Sequence, residues 1–232
     1  MKAPPRTFDR IESARVLLVD GNDELNFYAA LLNHMGLYSD SQFQMYQPSG
    51  SNEQAKTRIC GGLTVLSADG SVTKALPNLK ATYTGFSRNV SVLGIITDAE
   101  KSSEDRLRSV QNALRRGDLP VCNEPLVWVN GPPKTGVLIQ PPGKPAGMIE
   151  DMCLESIAGR PVLECIEEFF QCATTRGKID EIHQESKARV RSFLATCKDP
   201  DKSVGAAALA HYWDFDAQVW EPVRKFLREL CS

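Results

Sequence analysis

Three groups of carboxylates stand out for where they fall in the chain. Asp20, Asp23 and Glu24 crowd a glycine turn in ARVLLVDGNDE. Asp98 and Glu100 flank Ala99 at the end of VSVLGIITDAE, and Glu150 and Asp151 open the segment MIEDMCLESI. Carboxylates packed together repel one another and persist best where a cation holds them. All-oxygen donors of this kind suit Mg²⁺ or Mn²⁺ and match zinc poorly. Such an ion activates water and stabilises charge on a phosphoryl group, the metal-assisted route to phosphodiester cleavage. Solvated turn and cap acids produce the same spacing, however, and Glu150 and Asp151 suit the positive end of a helix dipole without any function.

The elements that must position these acids are legible in the same stretches. Val16 to Val19 reads as a buried strand without polar alternation. Leu25, Tyr28, Ala29, Leu31, Leu32 and Met35 then recur at helical spacing, so the first acids sit on the turn of a βα unit. In open α/β sheets ligands gather at the carboxyl ends of strands. Val90 to Ile96 is a second apolar strand, followed by a helix over 106–116 that Ser102 or Ser103 can cap. Side chains alternate along a strand with a period of two, which predicts Asp98 and Glu100 on one side. Val137 to Gln140 is a third strand, and the helix bearing Glu150 and Asp151 follows PPGKPAG. Weaker signals suggest strands at Phe43 to Tyr46, Leu63 to Leu66 and Leu126 to Val129, and a short amphipathic helix within 71–83. The segments 161–175, 184–195 and 219–230 read as amphipathic helices.

Strands alternating with helices predict an α/β domain over 14–232 with a helical C-terminal portion, preceded by a loose lead-in at 1–13. With 42% hydrophobic and 24% charged residues, the 232-residue chain has the balance of an ordinary globular protein. Its net charge of −2 offers no global attraction to nucleic acid, so any such contact needs a local basic patch. The densest basic run is 178–191, where Lys178, Lys187 and Arg189 are candidate phosphate contacts and His183 and Arg191 lie among them. Seven cysteines without a CxxC pair, a signal peptide or a membrane-length apolar run predict reduced thiols in the cytoplasm and no membrane contact. No HExxH, GxSxG, P-loop or GxGxxG motif occurs, which leaves zinc proteolysis, serine hydrolysis, nucleotide hydrolysis and Rossmann-type redox chemistry without support.

Taken in order, these motifs resemble the DUF3226 family of Toprim-like proteins, related to the nuclease domain of the OLD family. LLVDGNDELNFYAALL is similar to the family's VEG-x-x-D opening, GIITDAEK to its DAD strand and RLRSVQNAL to the helix after it. GVLIQPPGKPAGMIEDMCLESI resembles its apolar strand and PGM-[LI]-ED helix, and SKARVRSFLA, GAAALAHYWDFD and WEPVRKFLREL resemble its C-terminal portion. The resemblance implies a Toprim-like fold, a central, mostly parallel sheet with helices on both faces. It also implies Mg²⁺ or Mn²⁺ held by Asp20, Asp98 and Glu100, with Asp23, Glu150 and Asp151 as further ligands. Two positions depart from the pattern: Asp20 stands for a glutamate and Glu100 for an aspartate, each one methylene away from the family residue. The implied activity is metal-dependent cleavage of DNA or RNA, in bacterial phage defence and beside a partner ATPase. The alternative is a non-catalytic binding or regulatory subunit of an ATPase-containing complex. The opening is also similar to a response-regulator receiver domain, but residues 50–60 supply no phospho-accepting aspartate.

Overall fold

The computed structural model describes residues 11–37, 44–45, 57–60, 62–178 and 184–232. Among the described residues the strands are β1 (Arg15–Val19), β2 (Gln44–Met45), β3 (Thr57–Cys60), β4 (Leu63–Ser67), β5 (Val92–Asp98) and β6 (Lys134–Gln140). They form one sheet in the order β2-β3-β4-β1-β5-β6. Strands β4, β1, β5 and β6 run parallel, and β2 and β3 add an antiparallel edge.

Apolar residues on both sides of each central strand explain why the sheet is covered on both faces. Leu17, Val19, Leu63, Val65, Ile96 and Leu138 face one core, and Val16, Leu18, Leu66, Leu93, Ile95, Val137 and Ile139 face the other. The first core is closed by α1 (Asn22–His34), α6 (Ile149–Ser156), α7 (Val162–Thr175), α8 (Glu185–Ala195), α9 (Val204–Leu209) and α10 (Glu221–Cys231). The second is closed by α2 (Val72–Ala75), α3 (Leu79–Thr82), α4 (Phe86–Asn89) and α5 (Ser103–Arg116). This is the expected α/β architecture.

Local chemistry sets several boundaries. The Ser102 hydroxyl accepts from the Asp105 amide at 3.1 Å and caps α5, as its sequence suggests. The uncertain stretch at Leu63 to Leu66 is a fully buried central strand. The region 71–83 breaks into short helical turns instead of one helix. The strand expected at Leu126 to Val129 is absent: Leu126 sits at φ +66°, and only Val129 bridges to Thr135. Prolines 125, 132 and 133 on either side lack the amide that a continuous ladder needs. The packed body also begins ahead of residue 14, because Ile11 is buried and its amide donates to the Thr84 carbonyl at 2.9 Å. Only Gln44 and Met45 of the Phe43 to Tyr46 segment are described. Helix α9, which sequence reasoning did not mark, crosses α1 so closely that a Cβ on Gly205 would lie 2.1 Å from the Asp23 carbonyl oxygen. No helix among the described residues is long and apolar enough to cross a membrane.

Candidate metal and phosphate site

Strand register sorts the acids before any side-chain detail is considered. In the β1–β5 pair Leu18 lies opposite Ile95, and both belong to the second core. Two residues on, Asp20 and Thr97 therefore share that side. The Thr97 hydroxyl donates to Asp20 Oδ2 at 2.5 Å, and the Val72 amide donates to Asp20 Oδ1 at 2.9 Å. Asp20 thus ties β1 to β5 and to the start of α2, with both of its oxygens engaged.

Asp98 emerges on the opposite side, with Ile96 and the α1–α6 core. Its register partner is Gln140, whose Nε2 donates to Asp98 Oδ1 at 2.7 Å. The same oxygen accepts from the Ile149 amide at 3.0 Å, at the start of α6. The Gln140 amide is oriented in turn by the buried Tyr28 hydroxyl of α1, which donates to its Oε1. Burial of the Asp98 carboxyl raises its pKa well above the usual carboxylate range. The Gln140 bond opposes that rise, and the charges of Glu150, Glu24 and Asp20 add to it.

Glu24 and Glu150 complete a group of mutually repelling acids. Burial raises the pKa of each. Repulsion from Asp23, Asp20 and Glu150 adds to the rise at Glu24, whereas the charge of Lys187 partly offsets it at Glu150. Glu150 is only 9% exposed, and its buried Oε2 has no hydrogen-bond partner among the described residues. A buried, ionisable oxygen left unmatched is costly, so this atom is one that a cation would satisfy.

The other expected ligands are held by the protein itself. Asp23 Oδ1 accepts from the Ser203 hydroxyl and from the Gly205 amide at 2.7 Å, which fastens α9 to α1. Asp151 Oδ2 accepts from the Met148 amide at 2.8 Å and so caps its own helix, while Oδ1 accepts from the Ser186 hydroxyl of α8. Glu100 does not share a side with Asp98. It sits at φ +55°, its backbone pairs with Gly147, and its half-exposed carboxylate faces Arg106 at 3.9 Å. Period-two alternation fails there because the strand ends at Asp98 and the chain turns left-handed.

Among the basic candidates, Lys187 lies in the site. It lines a cleft of about 250 Å³ with Asp23, Glu150, Arg191, Lys202 and Ser203. Arg189 points elsewhere: it pairs with Glu167 at 2.5 and 3.0 Å and with Glu185 at 2.6 Å. Lys178 is exposed beyond the end of α7, and His183 lies outside the described residues.

Sequence reasoning did not mark Gln140, Tyr28 or Arg191 for the site, and it grouped Glu24 with the first acids but took Asp23 instead as the ligand. Glu24 was detectable, since counting x-x from Gly21 in the VEG-x-x-D pattern reaches residue 24, not Asp23. A glutamine closing the apolar strand GVLIQ was a weaker signal for Gln140. The oxygen-only donor set and the orphaned Glu150 Oε2 fit a hard divalent cation in chemical type. Among the described residues, however, no three such side chains already converge into a closed ligand set.

The chain is also similar to known proteins over most of its length. A hypothetical protein of Pyrococcus horikoshii OT3 shares 16% identity, with 94% of this chain and 95% of that one covered and a TM-score of 0.49. The C-terminal region of the Xanthomonas campestris pv. campestris OLD protein shares 16% identity, with 94% and 96% covered and a TM-score of 0.47. No curated protein matches the chain. The family model DUF3226, described as a protein of unknown function, matches residues 14–232, and this chain therefore belongs to the DUF3226 family.

Proposed function

We propose that the protein is a divalent-cation-dependent phosphodiester hydrolase acting on DNA or RNA. The observation that carries this reading is the orphaned Oε2 of the buried Glu150 within a mutually repelling group that includes the half-buried Asp98 and Glu24. Repulsion between like charges held out of water is relieved by a cation, and the resemblance to Toprim-like nucleases supplies the ion, Mg²⁺ or Mn²⁺. When bound, it would supply Lewis-acid stabilisation of the phosphoryl oxygens and a more acidic water.

The chain's own residues have distinct parts in this reading. Asp98, Glu24 and Glu150 would hold the ion. Gln140 fixes the Asp98 carboxylate through one of its oxygens, and Tyr28 fixes Gln140. Lys187, on the neighbouring wall of the cleft, meets a phosphate oxygen of the substrate. Asp20 braces β1 against β5 at the edge of the site. Divalent-dependent degradation of plasmid or RNA by the wild type, lost in an Asp98→Asn, Glu150→Gln double variant, is the expected result. Equal cleavage by the two proteins would sink the assignment.

One observation favours a second reading, a binding or regulatory subunit without catalysis and with an ATPase as partner. Asp20, Asp23 and Asp151 are all committed to protein hydrogen bonds, as structural residues are. Titration calorimetry with Mg²⁺ and Mn²⁺ separates the two, since the hydrolase must take up metal at millimolar concentration and the bare module need not.

A further inference from the structure

Helix α8 presents two differently neutralised sets of cations. Arg189 is surrounded by Glu167 and Glu185 and lies over the Phe170 ring at 5.1 Å, so its charge is used internally. Lys187 and Arg191 stand one helical turn apart on the cleft side, and neither makes an ion pair with a described residue. Like charges at this spacing repel, and neither is paired on α8. Lys202 lines the same cleft from the turn before α9, with only a loose 3.5 Å contact to Asp199. The cleft also holds Asp23, Glu150 and Asp201. Asp23 is occupied by Ser203 and Gly205, and Glu150 lies at the floor beside Asp98. Asp201 lies exposed beside Lys202 in the turn before α9, so acids and cations share that end of the cleft, whereas Lys187 and Arg191 follow one another along α8.

We infer that Arg191 and Lys202 hold the phosphates next to the one bound at Lys187, so that the cleft takes a run of phosphodiesters in a single strand of nucleic acid. The inference rests on the hydrolase reading for its substrate class but concerns binding alone. Two cationic positions beyond Lys187, one of them a helical turn away, match a chain of phosphates and exceed what a single phosphate needs. A single strand can enter a cleft of this size more readily than a duplex, and its backbone is flexible enough to follow the turn.

The test is fluorescence anisotropy with a labelled single-stranded oligodeoxynucleotide in calcium, repeated over a range of salt concentrations. Each lost phosphate contact lowers the slope of log K against log salt by about 0.7 for a single strand. Arg191→Ala and Lys202→Ala are expected to show this loss, whereas Arg189→Ala keeps the wild-type slope. All three side chains are at least partly exposed, so the truncations leave the core intact. Wild-type slopes in both Arg191→Ala and Lys202→Ala overturn the inference, and so does binding of pyrophosphate by a protein that binds no oligonucleotide. Should the wild type cleave while those slopes stay unchanged, the hydrolase stands and the phosphate track falls. Slopes that change in a protein with no divalent-dependent cleavage uphold the track and remove the hydrolase.

Discussion

Two sets of carboxylates lie within a few residues of each other in sequence and differ in how burial and neighbouring charge act on them. Asp20, Asp23 and Asp151 each accept two hydrogen bonds from the protein and serve as joints, from β1 to β5 and α2, from α1 to α9, and from α6 to α8. Glu24, Asp98 and Glu150 repel one another and burial raises their pKa values; Asp98 also accepts two bonds, from Gln140 and the Ile149 amide, and Glu150 retains a buried oxygen with no partner among the described residues. The difference teaches that carboxylate crowding is not itself a metal signature. The acids proposed to hold the ion are those that burial and mutual repulsion leave with raised pKa values.

The sharpest way to break this comparison is Asp98→Asn. The amide keeps an oxygen for Gln140 and Ile149 but removes the charge, so cleavage is expected to fall by about a hundredfold or more in a plasmid assay. Stability should move the other way. Glu24, Asp98 and Glu150 all have native pKa values raised above their ordinary ones, 4.5, 3.8 and 4.5. The stability they contribute is complete below the ordinary carboxylate range and is lost as pH rises through the raised native values. In chelator, the Tm of Asp98→Asn minus that of wild type should therefore grow from about pH 4 towards neutrality. A difference that shrinks with pH would show that Asp98 belongs with Asp20, Asp23 and Asp151.

Tyr28→Phe probes the support behind Asp98, because it frees the Gln140 amide to turn. Activity is expected to fall by about 10–100-fold with metal binding weakened to match, as read by calorimetry. Asp20→Ala tests the opposite set. It strands the Val72 amide and the Thr97 hydroxyl at a cost of about 1–3 kcal/mol, visible in urea unfolding. Its metal affinity should suffer less than that of Asp98→Asn, and the reverse order would erase the division drawn above. The smallest effect belongs to Arg189→Ala. Its ion pairs are partly exposed, so less than about 1 kcal/mol should be lost in the same measurement.

Much of the scaffold was legible from composition and period. Strands β1, β5 and β6 are largely apolar runs, which only a sheet buried on both faces can accommodate, and α1 and α5 carry clear helical spacing. Strand β4 was ambiguous because five apolar and small polar residues before an Asp69-Gly70 turn carry no period long enough to separate strand from helix. Glu100 was misplaced for a different reason: alternation holds only while the strand continues, and its end depends on the Glu100–Gly147 pairing, a contact distant in sequence. On α8, Lys187, Arg189 and Arg191 look alike in sequence. Their fates diverge because α7 brings Glu167 to Arg189 alone.

By itself the sequence determined the layered α/β plan, the three acid groups and their places after strands or at a helix start, since these depend on hydrophobic period and local turn chemistry. Tertiary structure decided which elements each acid ties together and which acids repel one another. Register between β1 and β5 put Asp20 beside Thr97 and sent Asp98 to the other face, and the close crossing of α9 at Gly205 claimed Asp23 while leaving Glu24 to the cluster. A carboxylate's role follows from the donors and charges packed around it, and those come from segments far away in the chain.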